Sequence, residues 1–143
     1  MKDRQSILRG ALWFTFVTLG LSAGSIMADP ANIGGEYANK KFLNGKAIFQ
    51  MSLEQSGKTF SVWFSATYED GHGAAPEAQG IGRVTEKGDA EFGFTDTFGN
   101  TGSGTIVRVA NEIVVTLKMK KIADARCMEF YGPKIHLKPS AGQ

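Results

Sequence analysis

Two short polar stretches carry the side chains that chemistry would need. The stretch "EDGH" places Glu69, Asp70 and His72 within four residues, two carboxylates and an imidazole of the kind that ligate zinc or exchange protons. The stretch "DTFGN" sets Asp96 and Asn100 on either side of Phe98. Neither stretch completes a motif. The chain has two histidines, His72 and His136, and no spacing matches a zinc pattern. Around Asp96 the ladder of oxygen ligands found in calcium-binding loops is missing. These groups read as turn-capping and solvated, with a binding surface as the functional alternative. No metal and no cofactor is expected.

The segment "GNTGSGT" from Gly99 has the glycine spacing of a phosphate-binding loop, but Thr105 stands where that loop needs lysine. The following "TIVRV" is β-branched and alternating, so a strand is expected where a phosphate loop requires a helix. The glycines therefore read as a hairpin turn. Gly99 and Asn100 tolerate positive φ, and Gly102 and Gly104 ease a strand that bends or bulges. No "GxSxG" elbow is present. Asp89 and Glu91 alternate outward as ordinary surface carboxylates. Cys127, the single cysteine, reads as a small buried hydrophobe opening a strand. Nothing in this set requires an enzyme, and a non-enzyme is expected.

The N-terminus reads as an export signal. Lys2, Arg4 and Arg9 precede the apolar run "ALWFTFVTLGL", small residues follow, and Asp29-Pro30 ends the pattern. Cleavage is expected near Ala28, giving a signal peptide at 1–28 and one domain at 29–143. The apolar run is well short of the roughly 20 residues that cross a bilayer. Gly24 and Ser25 stand where a lipoprotein box would carry cysteine, so no stable membrane anchor is expected. The whole chain has 16 Lys and Arg against 14 Asp and Glu. The leader holds three of the bases and one of the acids, which leaves the processed chain neutral. Neutrality removes the general drive toward nucleic acid. The destination read from this leader is the periplasm or the medium.

The elements that must position these residues are strands. "AIFQMSLE" puts Phe49, Met51 and Leu53 on one face, and "TFSVWFSATY" does the same for Phe60, Val62, Phe64 and Tyr68. "QSGK" reads as a tight turn at Gly57. "AEFGFTD" contributes Phe92 and Phe94, "EIVVTLKMK" contributes Ile113, Val115, Leu117 and Met119, and "GTIVRV" is read with Val107 inward. "GGEYA", "GIGRV" and "CMEFYGPKIHLK", the last bent at Gly132-Pro133, complete eight strands. The longest irregular stretch is Glu69 to Gln79. The fold expected is all-β, a single antiparallel up-and-down barrel of eight strands. Eight strands enclose room for side chains or one small ligand, and most inward residues here are large, so a filled interior is expected. Trp63 interrupts the polar face of its strand and is a candidate anchor for a partner.

The order of elements resembles the calycin-type barrels, lipocalin-like or avidin-like. Those families open on a Gly-x-Trp strand start, and Gly35-Glu36-Tyr37 occupies the corresponding place. The resemblance is one of architecture and spans most of the processed chain. Export, neutrality, a filled core and the long Glu69–Gln79 loop together lead to the expectation of a monomeric, exported, non-enzymatic binding protein. Its loops would engage a protein or other macromolecule outside the cytoplasm, with inhibition as one form of that role. The alternative is a lipocalin-like carrier of a small apolar ligand. The binding residues expected are Trp63, Tyr68, Glu69, Asp70, His72, Asp96, Phe98 and Asn100.

Overall fold

The computed structural model of the chain describes residues 31–140. The signal peptide expected at 1–28 and the cleavage expected near Ala28 fall outside the described residues. Eight antiparallel strands follow one another around a closed barrel in sequence order. They are β1 (Gly35–Lys41), β2 (Ala47–Ser56), β3 (Thr59–Tyr68), β4 (Glu77–Val84), β5 (Ala90–Asp96), β6 (Thr101–Val109), β7 (Glu112–Lys121) and β8 (Ile135–Pro139). β1 closes the ring by pairing with β8. One helical turn, α1 (Phe42–Gly45), joins β1 to β2, and a 3-10 helix (Ala125–Phe130) lies between β7 and β8. Period-two burial runs through β2, β3 and β5, because alternate side chains of a strand point to opposite faces of the sheet.

The interior is occupied by rings seated on glycines. Phe92 of β5 is paired with Gly82 on one side and Gly104 on the other, and Phe94 with Gly80 and Gly102. A Cβ at Gly104 would overlap the Phe92 ring, one at Gly102 the Phe94 ring and one at Gly82 the Phe60 ring. The glycines supply the floor that the phenylalanines cover. From there the rings meet in series. Phe64 lies 5.0 Å from Phe94, 5.5 Å from Phe49 and 6.0 Å from Tyr131, and Phe49 lies 5.4 Å from Phe42. Offset and edge-to-face contacts at such distances add about 0.5–1.5 kcal/mol each beyond the area buried.

Both ends of the ring column are covered. At one end the segment before β1 folds across the mouth. Gln55 accepts from Ile33 N at 2.8 Å and donates to Ala31 O at 3.0 Å, while Tyr37 OH donates to Ile33 O at 2.9 Å. These bonds hold the Ile33 side chain in the core. At the other end the 3-10 helix carries Cys127 and Phe130 inward, with Tyr131 just after it.

Several local expectations are corrected. "CMEFY" alternates like a strand, but Asp124 caps Arg126 N at 3.0 Å and starts a 3-10 turn instead, since a short Asp side chain offers the backbone a local acceptor. Cys127 is buried on that helix and not on a strand. Val107 faces outward and is 41% exposed, whereas Ile106 is fully buried. The inward parity of β6 is Gly102, Gly104 and Ile106. The irregular stretch after β3 is shorter than read, because Glu77–Gln79 already belong to β4. Gly99 takes φ +82° in the β5–β6 turn and Gly57 takes φ +63° in the β2–β3 turn, but Asn100 is not among the positive-φ residues. β6 shifts register between Thr101 and Gly102, the bulge expected there.

Candidate functional site

The barrel end bearing the 3-10 helix collects most of the polar candidates, and they divide into a buried knot and an exposed rim. The knot centres on Asp96, the last residue of β5. Its Oδ1 accepts from the backbone N–H groups of Phe98 and Asn100, each at 2.9 Å, and its Oδ2 accepts from Asn100 Nδ2 at 2.7 Å and Tyr131 OH at 2.8 Å. Asn100, with no exposed surface, accepts at Oδ1 from Ala123 N (2.7 Å) and Asp124 N (2.9 Å). The knot therefore ties the β5–β6 turn to the chain entering the 3-10 helix. All of its polar side-chain atoms are committed, as are those of every buried side chain among the described residues. Phe98 is half-buried beneath the Arg126 guanidinium, 5.6 Å from its ring centre.

The knot perturbs its neighbours. Burial raises the Tyr131 phenol well above its ordinary value, and the hydrogen bond to Asp96 and the charge on that carboxylate raise it further. Burial also raises the Cys127 thiol, with Asp96 and Asp124 acting in the same direction. At the opposite end burial raises Tyr37 against the opposing pull of Arg108. All three groups hold their protons more tightly folded than unfolded. Their contribution to stability is thus complete below the unfolded values, 9.0 for the thiol and 10.0 for the phenols, and is lost as pH rises beyond them. The urea midpoint is expected to hold steady from pH 7 to 8.5 and to fall above about pH 9.5, as the unfolded chain begins to release protons that the folded one retains. A midpoint unchanged at pH 11 would contradict this placement of the phenols.

The rim is built by the end of β3, the loop 69–76 and the 3-10 helix. Tyr68 stacks on the His72 imidazole, ring centres 4.2 Å apart and planes within 18°, and rests against Phe130 at 4.8 Å. Its hydroxyl donates to Glu129 Oε2. Asp70 accepts from His72 Nδ1 and, at 3.1 Å, from the His72 backbone N–H. The ring hydrogen bond, then the backbone one, hold the Asp70 carboxyl below its ordinary range. With the Asp70 carboxylate as acceptor, this bond requires a proton on Nδ1. The side chains of His72 and Asp70 are 64% and 69% exposed. Gly71 and Gly73 supply the left-handed φ values (76° and 73°) that fold the loop back on Tyr68, and Ala74 and Pro76 anchor its far end in the barrel.

Chemically the rim offers an oriented imidazole, two carboxylates and a flat aromatic face. No serine, threonine or cysteine side chain is hydrogen-bonded to His72 among the described residues, and no group of three potential metal ligands occurs there. The chain matches no protein-family model, no curated protein and no solved structure. Its architecture is nonetheless the closed eight-stranded antiparallel up-and-down barrel that calycin-like proteins share.

Tyr68, Asp70 and His72 thus meet at one place. Glu69 is exposed beside them, its backbone N–H donating to Lys46 O at 2.9 Å. Asp96 and Asn100 lie beneath the rim in the knot. Trp63 stands apart, half-buried on the outer wall of β3 opposite Ser52 and Gln79. Glu129 was not singled out from the sequence. The signal available for it was Asp124 followed two residues later by Arg126, a cap that starts the turn carrying it.

Proposed function

We propose that this chain is an exported, non-enzymatic binding protein that works as a monomer in the periplasm or outside the cell. It engages a macromolecular partner through the Tyr68–Asp70–His72–Glu129 rim, and inhibition of that partner is one form the role can take. One observation carries the reading: the phenylalanine column occupies the barrel from Phe42 to Phe92, with Ile33 over one end and Phe130 and Tyr131 over the other. Packing of this kind favours contact through the outside of the barrel over a ligand carried within it. The rim also has the composition of an interface anchor, an ordered aromatic pair framed by hydrogen-bonding groups. The likeness to calycin-type proteins supports the scaffold and does not name the partner.

The test is capture by cross-linking from the extracytoplasmic fraction, with the processed protein as bait. Tyr68→Ala combined with His72→Ala is expected to lower the yield of the captured partner at least about tenfold, the loss of two hot-spot side chains. Capture at the wild-type level by that variant, or by one with the loop 69–76 shortened, would remove the rim from consideration.

A further inference from the structure

Overall neutrality conceals a segregation of charge around the barrel. Lys118 and Lys120 point outward from β7, Lys134 precedes β8, Lys138 and His136 point outward from β8, and Lys41 ends β1; all are exposed. Lys138 lies 3.9 Å from Glu112, the outer limit of an ion pair, and Lys41, Lys118, Lys120 and Lys134 make no ion pair among the described residues. The exposed positions of β3 to β6 instead mix neutral residues such as Ser61, Gln79, Thr95 and Ser103 with charges of both signs, Glu77, Arg83, Glu91 and Arg108.

The strand register draws the cations into a stripe. Lys118 faces Ser103 of β6, His136 faces Val114 of β7, and Lys138 faces Ala38 of β1. At about 3.3 Å per residue, the stripe from Lys120 to the level of Glu112 and Lys138 is about 26 Å long. It ends in a groove. β1 and β8 pair only at Tyr37 with Pro139 and Ala38 with Lys138, and then part. The gap of about 350 Å³ is lined by Asn39, Lys41, His136 and Lys138, among others, and Asn39 Nδ2 crosses it to His136 O at 3.1 Å.

We propose that this wall binds an acidic polysaccharide, its carboxylate or sulfate groups laid along the lysines and one sugar unit seated in the β1–β8 groove. Charge complementarity selects a polyanion, and the shape and surroundings of the stripe select a glycan. A planar membrane would meet only one or two strands of so convex a surface. Of the large exposed apolar side chains, Ile81 lies on β4 away from the stripe, Val107 and Val109 border it on β6 opposite Val114 and Glu112, and Ile122 follows the end of β7. No Phe, Tyr or Trp faces outward on these strands to stack on nucleic-acid bases. Asn39 and Thr116 supply amide and hydroxyl groups suited to sugar hydroxyls.

Isothermal titration of the processed protein with heparin and with alginate tests the assignment. Binding is expected at about 50 mM salt and should weaken steeply toward about 500 mM, as exposed charges are screened. Lys118→Glu with Lys134→Glu is expected to weaken it at least about tenfold, while Lys58→Glu with Lys87→Glu, elsewhere on the barrel, leaves it within about twofold. If the charge reversals disturb folding, Lys118→Ser with Lys134→Ser is expected to weaken binding about fivefold. The assignment is overturned by no heat at low salt, by equal losses from the two pairs, or by tighter binding to phosphatidylglycerol vesicles or duplex DNA than to either glycan. Neither lysine belongs to the rim, so failure here leaves partner capture through His72 standing, and failure of that capture leaves the glycan titration standing.

Discussion

Asn100→Ala is expected to destabilise the fold by about 3–5 kcal/mol. The substitution removes the side-chain bond to the buried Asp96 carboxylate and strips the Ala123 and Asp124 backbone N–H groups of their shared acceptor. Each part-buried donor left without a partner costs about 1–3 kcal/mol, and a bond to a charged group contributes at the upper end of the hydrogen-bond range. The consequence reaches the rim. Asp124 caps the 3-10 helix that presents Glu129 to Tyr68, so loosening residues 123 and 124 unseats that contact as well. Urea denaturation checks the energy, and hydrogen exchange at Cys127 and Tyr131, whose amides bond Asp124 O and Met128 O, checks the place. A loss below about 1 kcal/mol would mean that the knot is not what fastens this end of the barrel.

Gly80→Ala is expected to cost about 3 kcal/mol or more, whereas Gly93→Ala, on the neighbouring strand, is expected to fall within about 1 kcal/mol of wild type. The two glycines occupy opposite faces of the same ladder. A methyl group at Gly80 would collide with the Gly93 carbonyl oxygen, which is main chain and cannot swing aside, and would crowd Phe94 Cα at 3.2 Å. At Gly93 the nearest atom to an added Cβ is Gly102 O at 3.9 Å, an ordinary contact. Neither residue has a positive φ, so backbone preference does not separate them and the difference reports close approach alone. Thermal unfolding of both variants checks the pair. Equal tolerance would show that β4 and β5 are spaced more widely than the ring-on-glycine packing requires.

The same packing explains what could be read from the sequence. Phe49, Met51 and Leu53 alternate with Gln50, Ser52 and Glu54, so side-chain type alone orients β2, and β3 and β7 follow by the same rule. β6 defeats the rule. Its inward residues include Gly102 and Gly104, which carry no polarity to read, while Ile106, Val107 and Val109 are apolar on both faces. Cross-strand context supplies the missing sign. Gly102 and Gly104 are inward because Phe94 and Phe92 lie over them. The segment from Cys127 to Tyr131 alternates well enough for a strand, but Asp124 and the Gly132-Pro133 break confine it to a short 3-10 helix and its C-cap.

At the candidate site, the meeting of Asp70 with His72 is legible because the two residues are neighbours and glycines flank them. Tyr68 joining them follows from the loop folding back, and Glu129 arrives from 61 residues away, beyond any local pattern. Asp96 and Asn100 are turn residues by type. Their burial depends on Ala123, Asp124 and Tyr131, which follow β7 in the chain, reaching back to them. The basic stripe is invisible in a charge count for a related reason, since β7, β8 and the end of β1 become neighbours only when the barrel closes.

Native mass spectrometry of residues 29–143, purified without refolding, tests the filled interior most directly. A single charge-state series at the mass of the bare chain, unchanged after incubation with long-chain fatty acids or other small apolar compounds, is the result expected of a barrel filled by its own phenylalanines. A stoichiometric adduct of a few hundred daltons that survives in the gas phase and is released on denaturation would contradict it and move the proposed binding site from the rim to the interior.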